Sequence, residues 1–184
     1  MSKAYILLAD GFEEVEAFTP VDLLRRAGVE VVCVSITDKK EVTGARKIKA
    51  LADITIDEVG DDGDMLILPG GMPGTTYLKE SSKVQDLVRK YNEAGKYLAA
   101  ICAAPTVLGA MGLLNGKKAT CYPGMEDGLT GAEWTGEDVN VAVDGRFITS
   151  RGVGTAIDFS LSLIEMLVSK EKADNIANAV VYKR

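Results

Sequence analysis

The chain has 184 residues, of which 47% are hydrophobic and 26% charged, and its formal net charge at pH 7 is −6. This length accommodates one domain with a sizeable core, and the acidic excess argues against nucleic acid and anionic membrane surfaces as partners. No apolar run reaches the length of a membrane span, and the N-terminal run lacks the pattern of a signal peptide. We therefore expect a single domain over residues 1–184 that works in the cytoplasm.

The most restrictive count is that of histidine, which is zero. Without imidazole the chain cannot form a Cys–His or Ser–His nucleophilic dyad, nor a zinc site that requires a histidine ligand. The three cysteines, Cys33, Cys102 and Cys121, are too few and too far apart for a disulfide framework, which favours a reducing compartment. No group of side chains has the spacing of metal ligands, and no phosphate-binding glycine motif occurs. We expect neither a metal nor a cofactor.

Apolar runs and helical patterns alternate along the first half of the chain. Buried strands are predicted at residues 4–9, 29–36 and 64–69, a hairpin at residues 41–50, and a short extended segment at residues 54–56. A helix between the first two strands presents Ala17, Val21 and Leu24 on one face. Pro20 leaves two alternatives: Thr19 caps a helix that begins at Pro20, or the helix begins earlier and is kinked there.

The second half continues this alternation. Strands are predicted at residues 97–101, 119–121, 139–143 and 146–150, the last two forming a hairpin. Helices are predicted after a cap at Ser81 or Ser82, after residue 104, from a capping box at Thr155 and Asp158 to residue 168, and at residues 170–180. Strands that alternate with helices predict an α/β domain with a mostly parallel sheet and helices on both faces.

One segment, residues 96–114, places a cysteine where a buried strand turns into a helix. Its apolar run is followed directly by Cys102, two alanines and Pro105, which suits a first helical turn. Such a turn presents its central residue at the end of the sheet, and a helix N-terminus is expected to lower the pKa of the thiol. The alternative is that Cys102 is an inert buried thiol, as we expect Cys33 and Cys121 to be.

Two more loops leave strand ends beside the one that carries Cys102, at residues 10–16 and 70–74. Ligands bind open α/β sheets where such loops meet at the carboxyl ends of the strands. The backbone N–H groups of Gly71 and Ala103 could form an oxyanion hole at the thiol. The alternative is that the two adjacent glycines only begin a loop.

The first of these loops contains three acids, Glu13, Glu14 and Glu16. Carboxylates at a helix start are commonly solvated, but one of these could lie beside the thiol. An ionised carboxylate there raises the pKa of the thiol, whereas a protonated one donates a hydrogen bond to the thiolate or acts as a proton carrier. Arg46 and Arg151 are candidate contacts for anions or substrate, with ordinary surface positions as the alternative.

These features together resemble the ThiJ/PfpI superfamily, and within it the DJ-one branch and its bacterial relatives. The similarity extends over nearly the whole chain. It is carried by LADGFEEVEAFTPVDLLRRAG at residues 8–28, LPGG at residues 68–71, AAICAAP at residues 99–105 and TSRGVGTAIDF at residues 149–159. The resemblance implies a flavodoxin-like three-layer α/β sandwich and a homodimer.

The resemblance also implies roles for the site residues. Cys102 would be the nucleophile-elbow cysteine in a strained backbone conformation, Glu16 the protonated partner of its thiolate, and Gly71 and Ala103 the oxyanion-hole residues. The implied activity is cofactor-free conversion of small dicarbonyls, such as methylglyoxal to lactate, of the glyoxalase or deglycase type, in defence against carbonyl and oxidative stress. The alternative is a non-enzymatic redox sensor or chaperone that acts through oxidation of Cys102.

Two positions depart from the pattern of the superfamily. Tyr122 precedes Pro123 where many relatives carry a histidine, and Ala103 stands where protease-like members place the histidine that follows the elbow cysteine. A peptidase or amidotransferase activity is therefore not expected.

Overall fold

The computed structural model describes residues 1–183, and its centre is a seven-stranded sheet. The strands are β1 (Lys3–Leu8), β2 (Glu30–Ser35), β3 (Glu41–Thr43), β4 (Lys49–Leu51), β5 (Ile54–Thr55), β6 (Met65–Leu68), β7 (Tyr97–Ile101), β8 (Lys118–Ala119), β9 (Glu133–Trp134), β10 (Val141–Asp144) and β11 (Phe147–Ser150). All belong to the central sheet except two pairs, β3 with β4 and β8 with β9.

The order of the central strands identifies the architecture. Across the sheet they stand as β10-β11-β7-β6-β1-β2-β5, and every neighbouring pair is parallel except β10 with β11. The five strands β1, β2, β6, β7 and β11, numbered along the chain, occupy the order 2-1-3-4-5 of flavodoxin-like folds. The predicted fold class is therefore confirmed, and the chain reverses its direction of strand addition between β1 and β6.

Helices cover both faces of the sheet. They are α1 (Glu14–Arg26), α2 (Gly74–Glu80), α3 (Ser82–Glu93), α4 (Pro105–Ala110), α5 (Ala156–Leu167) and α6 (Lys170–Ala179). Side chains of α1, α5 and α6 share one hydrophobic core with Ile6 of β1, whereas those of α2, α3 and α4 share the other with Leu7. This alternation along a strand explains why the predicted strands read as unbroken apolar runs. No helix within residues 1–183 is long and apolar enough to cross a bilayer.

Two local predictions about helix starts are corrected. The first helix begins at Glu14 and Pro20 lies inside it, so the alternative in which Thr19 caps the helix is wrong. Thr155 stands at the start of α5, but its side chain caps no helical N–H. Its hydroxyl instead pairs with the Ser150 hydroxyl at 2.7 Å and accepts a hydrogen bond from the Gly152 N–H. The loop that precedes α5 thus uses the Thr155 hydroxyl, which the predicted capping box would need.

Other differences concern short elements. Helix α2 was not predicted, because GTTYLKE contains two β-branched threonines and spans only seven residues. The strand expected at residues 119–121 is β8, which begins one residue earlier and pairs with the unpredicted β9. The loop expected at residues 124–131 contains a short 3-10 turn, Glu126–Gly128. Ser81 caps α3 by accepting a hydrogen bond from the Val84 N–H, which decides between the two predicted serines.

Truncating Phe159 should destabilise the fold strongly. Its ring is fully buried where α5 packs against the sheet, so Phe159→Ala leaves a cavity and should lower the free energy of unfolding by about 3–5 kcal/mol. The matched control is Leu51→Ala, at a side chain that is 77% exposed, with an expected change within about 0.5 kcal/mol. Urea unfolding measures both, and a loss below about 1 kcal/mol for Phe159→Ala would contradict this account of the core.

Candidate functional site

Loops at the carboxyl ends of β1, β6, β7 and β11 enclose a cavity of about 710 Å³ beside the point where the strand order reverses. The residues predicted to form the site all line it: Glu16, Arg46, Gly71, Cys102, Ala103 and Arg151. A switch point between parallel strands is where open α/β sheets bind ligands. The sequence therefore predicted both the edge of the sheet and the residues that meet there.

Cys102 occupies a strained turn between β7 and α4. Its φ angle is +65°, a left-handed conformation that costs a residue with a side chain roughly 1–2 kcal/mol. Two backbone hydrogen bonds hold it: the Cys102 N–H donates to the Ser150 carbonyl at 3.0 Å, and the Tyr122 N–H donates to the Cys102 carbonyl at 2.8 Å. The surrounding loops thus fix the strained conformation that the resemblance implied.

Glu16 is buried against this thiol, with 1% of its surface exposed. Its Oε2 accepts a hydrogen bond from the Gly70 N–H at 3.1 Å, while Oε1 is buried without a hydrogen-bond partner of good geometry among the described residues. A Cβ atom at position 70 would approach Glu16 Oε2 to 2.5 Å and the Cys102 Cβ to 2.6 Å. Gly70 therefore lets the thiol and the carboxyl group share one small space.

Burial dominates the electrostatics of the pair. It raises the pKa of Glu16 to about 7. The pKa of the Cys102 thiol is raised to about 12, first by burial and then by the negative charge of an ionised Glu16. The predicted lowering of the thiol pKa by a helix N-terminus is therefore wrong for a thiol that faces an ionised carboxylate. Helix α4 begins only at Pro105 and has six residues, so its dipole is weak at the sulfur. The two groups titrate together, and the pair gains one negative charge as the pH rises through about 7.

Two backbone N–H groups favour that charge on the sulfur. Those of Ala103 and Gly71 both act to lower the pKa of Cys102, as expected of donors directed at an anion. Gly71 has a φ of +95°, and a Cβ there would lie 2.3 Å from the backbone nitrogen of Glu13. Only glycine fits at this position. The structure thus brings both predicted oxyanion-hole residues to the thiol.

Charged and aromatic side chains also line the cavity. The Arg46 side chain is 74% exposed, and its guanidinium lies 3.6 Å from the Glu13 carboxylate. The Arg151 guanidinium donates to the backbone carbonyl of Glu137. Tyr122, at the position where relatives carry histidine, is half-exposed and its ring lies near Gly152. Both arginines thus line the cavity, and their contact with a ligand stays a prediction.

The three acids are not a solvated helix start. Glu13, Glu14 and Glu16 are all buried, each with a different environment: an arginine, two backbone N–H groups, and the thiol. The parts that Glu14, Gly70 and Ser150 play are not predicted from the sequence. The adjacent glycines of LPGG were a signal for close approach at position 70, whereas nothing local marked the other two.

The remaining cysteines are buried and unpaired. Burial raises the pKa of both Cys33 and Cys121 to about 11, which disfavours their thiolates at neutral pH. This agrees with the expectation that both are structural, although their reactivity stays a prediction. No group of three or more metal-ligating side chains lies within residues 1–183.

Comparisons with known proteins place this geometry in a family. The model of the DJ-1/PfpI family matches residues 2–166. Protein dj-1beta of Drosophila melanogaster is 41% identical over 183 residues, 98% of both chains. The glutathione-independent glyoxalase DJR-1.2 of Caenorhabditis elegans is 32% identical over 176 residues, 95% of this chain and 93% of its own. The structure of oxidized DJ-1 from Toxoplasma gondii superposes with a TM-score of 0.93 at 37% identity, with both chains covered completely.

Replacing Glu16 by glutamine should remove a pH dependence of stability. Because the carboxyl pKa rises from 4.5 to about 7 on folding, the protonated group stabilises the folded chain below pH 4.5, and this contribution is lost as the pH rises through 7. At about 1.4 kcal/mol per pKa unit, the wild type should lose roughly 2–3 kcal/mol between pH 5 and 8 relative to Glu16→Gln. Urea unfolding at four pH values tests this. Glu41→Gln, at an exposed carboxylate, should keep the wild-type dependence, and parallel curves for wild type and Glu16→Gln would contradict a raised pKa.

Proposed function

This chain belongs to the DJ-1/PfpI family, and we propose that it converts small reactive dicarbonyls such as methylglyoxal into hydroxy acids, with Cys102 as nucleophile and no cofactor. The observation that carries the proposal is the buried contact between a thiol and a carboxyl group with a pKa of about 7. A group that gains and loses a proton near neutral pH is suited to general acid–base catalysis. A nucleophile, a proton carrier and two N–H donors thus meet in one cavity.

In the first step the ionised Glu16 takes the proton of the Cys102 thiol as the sulfur attacks the aldehyde carbon of methylglyoxal. The new carbon–sulfur bond pushes the carbonyl electrons onto oxygen, where the N–H groups of Gly71 and Ala103 stabilise the negative charge. Protonated Glu16 then gives its proton to that oxygen, which yields a thiohemiacetal and leaves Glu16 ionised.

In the second step Glu16 moves a proton between the two substrate carbons. The carboxylate removes the hydrogen from the carbon bonded to sulfur, which gives an enediol, and returns a proton to the neighbouring carbon. The product is a thioester of lactate on Cys102, and oxidation of one carbon balances reduction of the other. Water hydrolyses the thioester, which releases lactate and one proton and restores the thiol and the ionised carboxylate.

The name of the Caenorhabditis elegans relative supports this proposal. That protein is called a glutathione-independent glyoxalase, and a mechanism in which the protein's own thiol forms the thiohemiacetal needs no glutathione. The cavity of about 710 Å³ holds a three-carbon dicarbonyl with space to spare.

A second candidate is a redox sensor or chaperone in which Cys102 itself is oxidised. The structure from Toxoplasma gondii is of an oxidized DJ-1, and the site here suits a sulfinate, because the donors that stabilise an oxyanion also stabilise the oxygens of an oxidised sulfur. The two functions differ in turnover. The enzyme regenerates its thiol after each cycle, whereas the sensor keeps its modification, because ordinary thiols do not reduce a sulfinate.

The resemblance also supports a homodimer and a cytoplasmic location. Sedimentation equilibrium of the purified chain tests the first, with a mass of twice 19.6 kDa expected. Fractionation of cells that express the tagged chain tests the second.

Lactate formation from methylglyoxal by the metal-free protein tests the proposed enzyme. Wild type should produce many equivalents of lactate per chain, and both Cys102→Ala and Glu16→Ala should lower kcat at least about 100-fold, because each removes a group that takes part in bond making or proton transfer. Cys121→Ala is the matched control and should keep the activity.

Formation of at most one equivalent of a covalent adduct would contradict turnover. Peroxide titration followed by mass spectrometry of the Cys102 peptide would then decide whether the thiol acts as a sensor. Full activity in Glu16→Ala would leave the nucleophile in place and remove Glu16 as the proton carrier.

A further inference from the structure

The hairpin formed by β3 and β4 carries Arg46 to the cavity from outside the central sheet. The two strands pair only with each other, and their turn, residues 44–48, lies beside the start of α1. Arg46 has its side chain largely in solvent, with one ion pair at 3.6 Å to Glu13. Its position at the cavity therefore depends on how the turn is fastened to the rest of the chain.

Two backbone hydrogen bonds fasten the hairpin: the Ala45 N–H donates to the Phe12 carbonyl at 2.8 Å, and the Gly11 N–H donates to the Thr43 carbonyl at 2.7 Å. Glu14 provides the attachment at Arg46 itself. The residue is 6% exposed, and its Oε1 accepts a hydrogen bond from the backbone N–H of Arg46 at 2.7 Å and a longer one from that of Ile48 at 3.4 Å. The approach is close: a Cβ at Gly44 would lie 2.3 Å from the same oxygen. A carboxylate that accepts backbone N–H groups forms a charge-assisted hydrogen bond, stronger than one between neutral groups. The turn thus closes over one buried side chain.

We propose that Glu14 is a positioning residue that holds the turn so that Arg46 faces the cavity, and that this gives the cavity a preference for anionic ligands, such as carbonyl compounds that carry a carboxylate. The inference deepens the proposed function, since it adds a charge to the substrate class, but it concerns the approach of an anion to Cys102 and does not require turnover. Glu14 touches no reacting atom in this scheme and acts only through Arg46.

The sign of the effect separates positioning from simple electrostatics. Glu14 is itself an acid close to the cavity, so removal of its charge alone would strengthen the attraction of anions. Removal of the Glu14 attachment loosens the turn at Arg46, moves the guanidinium away from the cavity and weakens that attraction. A fall in anion preference on removal of a negative charge is therefore specific to the positioning role.

Alkylation of Cys102 by two reagents of similar size measures this preference. Iodoacetate is anionic and iodoacetamide is neutral, and both react with the thiolate, so the ratio of their rate constants cancels any change in the pKa of the thiol. Cys33 and Cys121 are buried, and mass spectrometry assigns the modified residue. The measurement is made at low ionic strength, because salt screens an exposed charge.

Arg46→Ala should lower the iodoacetate-to-iodoacetamide ratio about threefold, the size expected for one partly solvated charge several ångströms away. Glu14→Ala should lower it by a smaller factor, because the loss of the Glu14 charge partly offsets the displacement of Arg46, and the double variant should be no lower than Arg46→Ala. Glu14→Gln should keep or raise the ratio, because the amide oxygen still accepts the Arg46 N–H while the negative charge is gone. Glu41→Ala, which removes an exposed carboxylate from the same hairpin, should leave the ratio unchanged.

Gly44→Ala tests the same attachment from the side of the turn and removes no buried carboxylate. Its methyl group should displace the turn from Glu14 and lower the ratio as Glu14→Ala does. A ratio equal to or above that of wild type in Glu14→Ala or Gly44→Ala, with unchanged thermal unfolding, would overturn the proposal. Failure of the wild type to form lactate would overturn the proposed enzyme and leave this inference standing.

Discussion

The structure depends on one constraint: a thiol and a carboxyl group lie in contact in a space from which water is largely excluded. Desolvation raises the pKa of each group, and an ionised Glu16 raises that of the thiol further, so the pair accommodates one negative charge and not two. The neighbouring backbone follows from that contact. Position 70 has no room for a Cβ, position 71 needs a positive φ to direct its N–H, and Cys102 adopts a left-handed conformation that the surrounding loops hold. The site therefore carries both conformational and electrostatic strain, which two hydrophobic cores of the sheet offset.

The fold class and the position of the site could be predicted, because both depend on patterns of neighbouring residues in the sequence. The unbroken run before Cys102 gave β7 with its bounds, and the regular alternation of strands and helices gave the fold class and the edge at which loops meet. Helical periodicity could not choose among the three acids, because Glu13 and Glu14 precede Ala17 by four and three residues and share its buried face. The choice of Glu16 came from the resemblance. The burial of Glu14 depends on a hairpin about thirty residues further along the chain, and no sequence pattern within α1 predicts a contact between residues so far apart.

Two predictions, the lowered pKa of the Cys102 thiol and the capping role of Thr155, were wrong because contacts with residues distant in the sequence outweigh the local effect. The helix-dipole argument considers only α4, which follows Cys102 in the sequence. The pKa of the thiol is instead set by burial and by Glu16, which lies in the first turn of α1. The capping rule assigns the Thr155 hydroxyl to α5, whereas that hydroxyl completes the loop that begins at Ser150, whose carbonyl also holds the Cys102 N–H. In both places the competitor belongs to the site. Local rules fail where the chain builds its reactive centre, since that is where tertiary contacts override propensity.

The positive charge of Arg46 beside the cavity bears on the choice between the two candidate functions. Hydrogen peroxide is neutral, so an arginine fastened beside the cavity gives a sensor no advantage in meeting its oxidant. A carbonyl substrate that bears a carboxylate is attracted by the same arginine, and its attraction is worth most where the low-dielectric wall limits screening. The donors at the sulfur do not discriminate, because they stabilise the oxyanion of an adduct as well as the oxygens of a sulfinate. Methylglyoxal is neutral as well, so the hairpin that we propose Glu14 holds would favour an anionic carbonyl substrate over both methylglyoxal and an uncharged oxidant.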